Sequence, residues 1–125
     1  MNSKTILVVD DDVEMASIME QILKKRGFEV LLAHDGLQAI EKSKNSGVDL
    51  ILLDVRMPFF SGFWFCDAFK QREATKDIPI VMVSGILDED NIQKALDLGA
   101  SACLRKPFKP AELVELVEQN LSSAA

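Results

Sequence analysis

A chain of 125 residues with a formal net charge of −6 and a pI near 4.7 has the size of one domain and enough length to bury a core. Its Lys and Arg residues are dispersed among a larger number of acids, which argues against direct binding of nucleic acid or of an anionic membrane surface. No apolar run approaches the roughly 20 residues of a membrane span, and Met1 to Lys4 leads straight into a short strand rather than a signal-peptide core. Cys66 and Cys103 have no second Cys or His at metal-ligand spacing, and His34 is the only histidine. They read as buried free thiols of a reducing compartment, so a cytoplasmic protein is expected.

Taken in chain order, Thr5 to Val9 is a β-branched, apolar run that stops abruptly at Asp10-Asp11-Asp12, the pattern of a buried strand with an acidic loop at its carboxyl end. Met15, Ile18, Met19, Ile22 and Leu23 then recur at helical spacing until Gly27. Asp11 or Asp12 can cap that helix, with Glu14 completing a capping box from Asp11. Phe28 to Ala33 is a second strand. His34-Asp35-Gly36 is turn chemistry before a helix with Leu37, Ile40 and Lys44 along one side, ended by Asn45 to Gly47. Four consecutive apolar residues between Asp49 and Asp54 fit a short strand covered on both faces, as in parallel sheets.

The helix after Asp54 is expected from Ser61 to about Arg72. Ile78 to Val83 forms a fourth strand, with Pro79 tolerated at its start, and runs into Ser84-Gly85. Asp88 or Glu89 caps a helix bearing Ile92, Ala95 and Leu96, which Gly99 stops. Ala102 to Arg105 is a fifth strand running into Lys106-Pro107, and Pro110 opens a last helix that buries Leu113, Val114, Val117 and Leu121. Strands alternating with helices over short connections predict a doubly wound parallel sheet, in one domain spanning residues 1–125 with a core of about 4–122.

All strand carboxyl ends of such a sheet lie on one edge, so Asp10 to Asp12, Asp54, Ser84 and Lys106 converge there. Taken singly, each has a plainer reading: a helix cap, a turn residue, a solvated charge. One cap uses one Asp, however, and the joint placement at four strand ends favours a site. Crowded carboxylates repel one another unless a cation sits among them, and a hard ion such as Mg²⁺ suits oxygen ligands. Lys106 adds a positive charge and Ser84 a hydroxyl donor. Together they describe an anion-stabilising site for a phosphoryl group, with a carboxylate able to act as the nucleophile.

Val8-Val9-Asp10-Asp11, Leu53-Asp54-Val55-Arg56-Met57-Pro58, Ser61-Gly62, Val83-Ser84-Gly85 and Lys106-Pro107-Phe108 occur in the order and spacing of a known pattern. The sequence resembles the receiver domain of two-component response regulators over essentially its whole length. The resemblance implies a flavodoxin-like (βα)5 fold with strand order 2-1-3-4-5. It implies that Asp54 is the phosphoacceptor, receiving its phosphoryl group from a histidine kinase or a histidine phosphotransfer protein and switching the binding of an unidentified output protein or domain. It further implies that Asp11 and Asp54 ligate Mg²⁺ or Mn²⁺ directly, with Asp10 acting through water and the backbone carbonyl of Arg56 completing the set. Ser84 and Lys106 are implied to contact the phosphoryl oxygens after transfer. Autocatalytic phosphotransfer and self-dephosphorylation at Asp54 are the most enzymatic chemistry expected.

The chain departs from the family pattern at several places. Cys103 stands where relatives carry Tyr or Phe, and it is too small to fill or vacate that volume as a ring does. Signalling is therefore expected to rely on the loop after Ser84 and on the fourth helix. Arg56 and Ile86 stand at positions that in the family flank the path of water to the acyl phosphate. An apolar Ile86 cannot orient that water, while Arg56 is placed to shield the phosphoryl group or to pair with an acid such as Glu89, so slow self-dephosphorylation is expected. Phe59 to Phe65 holds five of the eight aromatic residues. Phe63 or Phe65, with Phe69, fits a core-facing helix side, whereas Phe59 and Phe60 precede the helix and suit partner docking or self-association.

Three rivals are weighed against this reading. A haloacid-dehalogenase-like phosphatase needs a second Asp where Arg56 stands, together with a cap insertion. A dinucleotide or flavin binder needs a glycine- or hydroxyl-rich phosphate loop where the first strand is followed by acids. A degenerate receiver that binds partners without phosphorylation is opposed by the intact Asp10, Asp11, Asp54, Ser84 and Lys106.

Overall fold

The computed structural model describes residues 3–44, 47–57 and 60–123. Strands and helices alternate along it: β1 (Thr5–Val9), α1 (Val13–Lys25), β2 (Glu29–Ala33), α2 (Gly36–Ser43), β3 (Leu50–Asp54), α3 (Gly62–Gln71), β4 (Ile80–Ser84), α4 (Glu89–Asp97), β5 (Ala102–Arg105) and α5 (Pro110–Ser123). The strands form one parallel sheet in the order β2-β1-β3-β4-β5.

Strand side chains alternate between two buried faces, which is why the strands read as continuous apolar runs. Leu7, Val9, Ile51, Leu53, Ile80 and Met82 face α2, α3 and α4, where Ala39, Phe65, Cys66, Phe69 and Ala95 meet them. Ile6, Val8, Leu50, Leu52, Val81 and Val83 face α1 and α5, against Ala16, Met19, Leu23, Leu113 and Val117. Helices on both faces leave only the ends of the sheet open. The register pairs Val9 with Ala33 and Leu53, Asp54 with Val83, and Ser84 with Arg105. The carboxyl ends of β1, β3, β4 and β5 are thus aligned along one edge.

Several expected boundaries and faces shift. β2 begins at Glu29 rather than Phe28. β4 runs from Ile80 to Ser84, because the Ile78 amide turns back to the Thr75 carbonyl at 3.0 Å and belongs to the preceding turn. In α2 the buried stripe is Gly36, Ala39 and Ser43, with Ile40 half-buried, while Leu37 is 69% exposed and Lys44 faces solvent. The inward face carries Gly36 against the Phe65 ring, which lies so close that a Cβ there would meet it at 2.0 Å. Only the small side of α2 fits under that ring, and Leu37 is turned away. Leu96 of α4 is likewise mostly outside, leaving Ala95 buried and Ile92 half-buried. Asn45 and Ser46, expected to end α2, lie outside the described residues, as do Pro58 and Phe59.

Candidate functional site

Asp12 resolves the choice of cap for α1. Its side chain accepts the Met15 amide at 3.1 Å, which leaves Asp10 and Asp11 for other work. Asp10 is fully buried; its Oδ1 accepts the Asp12 amide at 2.9 Å and its Oδ2 accepts Lys106 Nζ at 2.9 Å. Asp54, at the end of β3, is 6% exposed; its Oδ1 accepts the Arg56 amide at 3.4 Å and its Oδ2 lies 3.8 Å from Lys106 Nζ. One oxygen each of Asp10, Asp11 and Asp54 can be chosen so that all lie within 4.8 Å of one another.

Three carboxylates facing one ammonium leave the cluster with excess negative charge. Burial, reinforced by the charge of Asp10, raises the Asp54 carboxyl to about 6, while Lys106 and the Arg56 amide pull the other way. The donor set is all oxygen, anionic, and open toward solvent at Asp11, which is exposed. It fits a hard divalent cation, which would supply the missing positive charge and keep water for exchange. Among the described residues no thiol or imidazole joins it, which sets it apart from the usual donor sets of zinc and of soft metals.

Ser84 and Lys106 complete the edge. Ser84 is buried, with its Oγ accepting the Ile86 amide at 3.2 Å, and its carbonyl accepts the Lys106 amide at 3.0 Å. Lys106 precedes a cis peptide to Pro107. The structure thus brings together Asp10, Asp11, Asp54 and Lys106, with Ser84 on the neighbouring strand one residue past the partner of Asp54. Arg56 is exposed, and among the described residues its side chain pairs with no acid, Glu89 included.

Three contacts escaped sequence reasoning. His34 places Nδ1 3.4 Å from the Asp10 carbonyl oxygen, a position at the carboxyl end of β2 that strand-end logic could have flagged. Gly62 packs directly on the Asp54 backbone, where a Cβ would fall 2.0 Å from the Asp54 carbonyl oxygen. Arg105 binds the Leu87 carbonyl, a long-range contact with no signal in the sequence.

The aromatic segment divides between core and surface. Phe63, Phe65 and Phe69 are buried. Phe60 and Trp64, about half exposed, stack with ring centres 4.8 Å apart. Cys66 is buried with its Sγ 3.8 Å from the Leu98 carbonyl oxygen, and Cys103 is half-buried beside the same core. Burial pushes the Cys66 thiol to about 11 and the Cys103 thiol upward too, so both are neutral thiols rather than reactive thiolates.

A doubly wound parallel sheet with acids, a lysine and a serine gathered at its carboxyl edge defines the class: an α/β protein with a charge-crowded cluster where such sheets bind ligands. The family model of the response regulator receiver domain matches residues 6–118. The chain belongs to that family, whose members are signalling modules of two-component systems. It is 43% identical over 109 residues to the transcriptional regulatory protein CpxR of Klebsiella pneumoniae, an alignment covering 87% of this chain and 45% of that one. It is 40% identical over 114 residues to the phosphate regulon transcriptional regulatory protein PhoB of Pseudomonas aeruginosa, covering 91% and 50%. Among solved structures, the Vibrio cholerae chemotaxis protein CheY4 superposes with a TM-score of 0.91 at 30% identity, covering 95% of this chain and 99% of that one. A CheY-like receiver domain protein from Methanospirillum hungatei gives 0.91 at 28% identity, covering 98% and 97%. The chain spans about half the length of the curated relatives it matches. Among the described residues no helix is long and apolar enough to cross a membrane.

Proposed function

We propose that this chain is a phosphorylation-switched receiver whose acceptor is Asp54. The observation that carries the reading is the buried, charge-crowded Asp54 carboxylate, with the carboxylates of Asp10 and Asp11 and the ammonium of Lys106 around it. In the reaction, an Asp54 carboxylate oxygen bonds to phosphorus as the nitrogen–phosphorus bond of a phosphohistidine breaks. The products are an acyl phosphate on Asp54 and a neutral imidazole on the donor, a histidine kinase or a histidine phosphotransfer protein, because the phosphohistidine ring enters protonated on its other nitrogen and keeps that proton as the nitrogen–phosphorus bonding pair returns to the ring. Asp10, Asp11, Asp54 and the backbone carbonyl of Arg56 would hold Mg²⁺ or Mn²⁺, with Asp10 acting through water. When bound, that ion supplies neutralisation of the carboxylates and of the incoming phosphoryl oxygens. Lys106 is within reach to exchange part of its contact with Asp10 for a phosphoryl oxygen, and Ser84 has a hydroxyl hydrogen left to donate to another. The phosphorylated state then alters the affinity for an output protein or domain.

The test is the intact mass after incubation with acetyl phosphate, with Mg²⁺ or with a chelator. Gain of one phosphoryl group that requires the ion is expected. No adduct under either condition would overturn the reading and leave a phosphorylation-independent interaction module.

Ile86 is 39% exposed in the loop after Ser84, and its side chain offers an approaching water no hydrogen bond. The acyl phosphate is therefore expected to be long-lived, and Ile86→Asn to shorten its half-life roughly threefold to tenfold by orienting that water. Following the decay of the phosphorylated mass in both proteins checks this; equal half-lives would contradict it.

A further inference from the structure

The Ser84 hydroxyl is held by a chain of main-chain contacts that two side chains, Asn91 and Arg105, anchor. Its oxygen accepts the Ile86 amide at 3.2 Å. The Ile86 carbonyl accepts Asn91 Nδ2 at 2.8 Å and the Asp88 amide at 3.2 Å. The next carbonyl, that of Leu87, accepts the guanidinium of Arg105, from Nε at 3.0 Å and from Nη2 as well. The loop between β4 and α4 is thus pinned from below by the buried Leu87 side chain, 2% exposed, and from the sheet edge by Arg105.

Arg105 is the last residue of β5 and lies in register with Ser84. The next residue, Lys106, holds Asp10 at 2.9 Å and approaches Asp54 to 3.8 Å. The last residue of one edge strand and the residue that follows it therefore grip the two sides of the site: Lys106 the carboxylates, Arg105 the loop that carries the hydroxyl. Donation by a charged, planar fork to one carbonyl is stronger and more directional than a neutral amide bond, and a lysine reproduces it only in part.

We propose that Arg105 is the positioning residue for the Ser84 hydroxyl, acting through the Leu87 carbonyl, in the phosphoryl transfer proposed above, on which this inference rests. Arg105 touches neither the acceptor nor the phosphoryl group. It restricts where the loop can go, and so where the hydroxyl hydrogen can be delivered. Loosening it lowers the fraction of molecules whose hydroxyl meets the transferring phosphoryl oxygen.

Two measurements on the full chain decide this. Hydrogen exchange of the Ile86 amide, which needs no phosphodonor, is expected to be about tenfold faster in Arg105→Ala. The Gly62 amide, bonded to the Val55 carbonyl at 2.8 Å, is the control and is expected to be unchanged. The initial rate of phosphoryl uptake from acetyl phosphate at saturating Mg²⁺ is expected to fall about threefold to tenfold in Arg105→Ala and less in Arg105→Lys. In a Ser84→Ala background the same Arg105→Ala change is expected to cost less than about twofold, because the hydroxyl it positions is gone. Unchanged exchange at Ile86, or an equal slowing in both backgrounds, would overturn the proposal. An unmodified wild-type protein would instead overturn the phosphoacceptor reading, and the exchange measurement would still decide whether Arg105 holds the loop.

Discussion

Asp54→Asn is expected to abolish phosphoryl uptake and, at the same time, to make the metal-free protein more stable at neutral pH. The first effect follows from removing the nucleophile, since an amide cannot form the acyl phosphate. The second follows from the charge the variant removes. Burial first, and the Asp10 charge second, raise the Asp54 carboxyl from 3.8 to about 6, so the folded state holds this proton more tightly than the unfolded state does. The contribution of Asp54 to the stability of the metal-free wild type therefore falls as pH rises from about 4 through about 6, after which it grows no worse. A shift of about two pKa units corresponds to about 3 kcal/mol at most; with Lys106 nearby and some solvent access, a gain of about 1–3 kcal/mol is the expected effect of the amide at pH 7.5. The advantage of Asp54→Asn should shrink to a few tenths of a kcal/mol near pH 3.5 and vanish below about pH 3, where the wild-type carboxyl is mostly protonated in both states. Mg²⁺ should stabilise the wild type more than the variant, because one anionic ligand is missing. Urea denaturation at both pH values, with a chelator and with Mg²⁺, reads all of this. A variant less stable than wild type at pH 7.5 in the chelator would show that Asp54 is held as a favourable anion, against the electrostatics described above.

Gly62→Ala is expected to be the most damaging small substitution in the chain. A Cβ at Gly62 would lie 2.0 Å from the Asp54 carbonyl oxygen, 2.9 Å from its carbonyl carbon and 3.0 Å from the Val55 Cα. All three are backbone atoms at the carboxyl end of a central strand, where no rotamer change relieves the overlap. Either the start of α3 moves out, breaking the Gly62 amide bond to the Val55 carbonyl at 2.8 Å, or the end of β3 moves and carries the acceptor with it. A loss of about 2–4 kcal/mol is expected, together with a fall in phosphorylation rate greater than the unfolded fraction explains. Gly36→Ala is the instructive comparison. The clash there is with the Phe65 ring, a side chain beside the half-exposed Phe60 and Trp64, and the ring can yield outward. Gly36→Ala should cost stability without displacing Asp54. Chemical denaturation and the initial rate of adduct formation separate the two cases; a Gly62→Ala protein within about 0.5 kcal/mol of wild type and equally reactive would refute the argument.

The strand and helix order, and the gathering of Asp10, Asp11, Asp54 and Lys106, were legible in the residues themselves. Four- and five-residue apolar runs that stop at acids, a hydroxyl or a lysine carry the period and the punctuation of a buried parallel sheet, and a parallel sheet puts those stops on one edge. The same local chemistry marked Pro110 as a helix start and Asp88 or Glu89 as a cap, and it is Asp88 that accepts the Asn91 amide, at 2.8 Å.

What only the tertiary structure decided depends on neighbours distant in sequence. Helical periodicity put Leu37 on the buried side of α2, but the face turned inward is that of Gly36, Ala39 and Ser43, with Gly36 against the Phe65 ring from α3, and Leu37 lies outside. Spacing allowed either Asp11 or Asp12 as the cap of α1; the turn geometry selects Asp12 and so frees Asp11 to face Asp54. The raised pKa of Asp54 comes from the depth of its burial and from the charge of Asp10, two strands' worth of chain away. The Arg105 contact with Leu87 joins a strand end to a loop 18 residues earlier. Apolar period and turn residues are local properties and survive in a sequence; the distances that set charge coupling and steric exclusion arise only when the sheet brings its strand ends together.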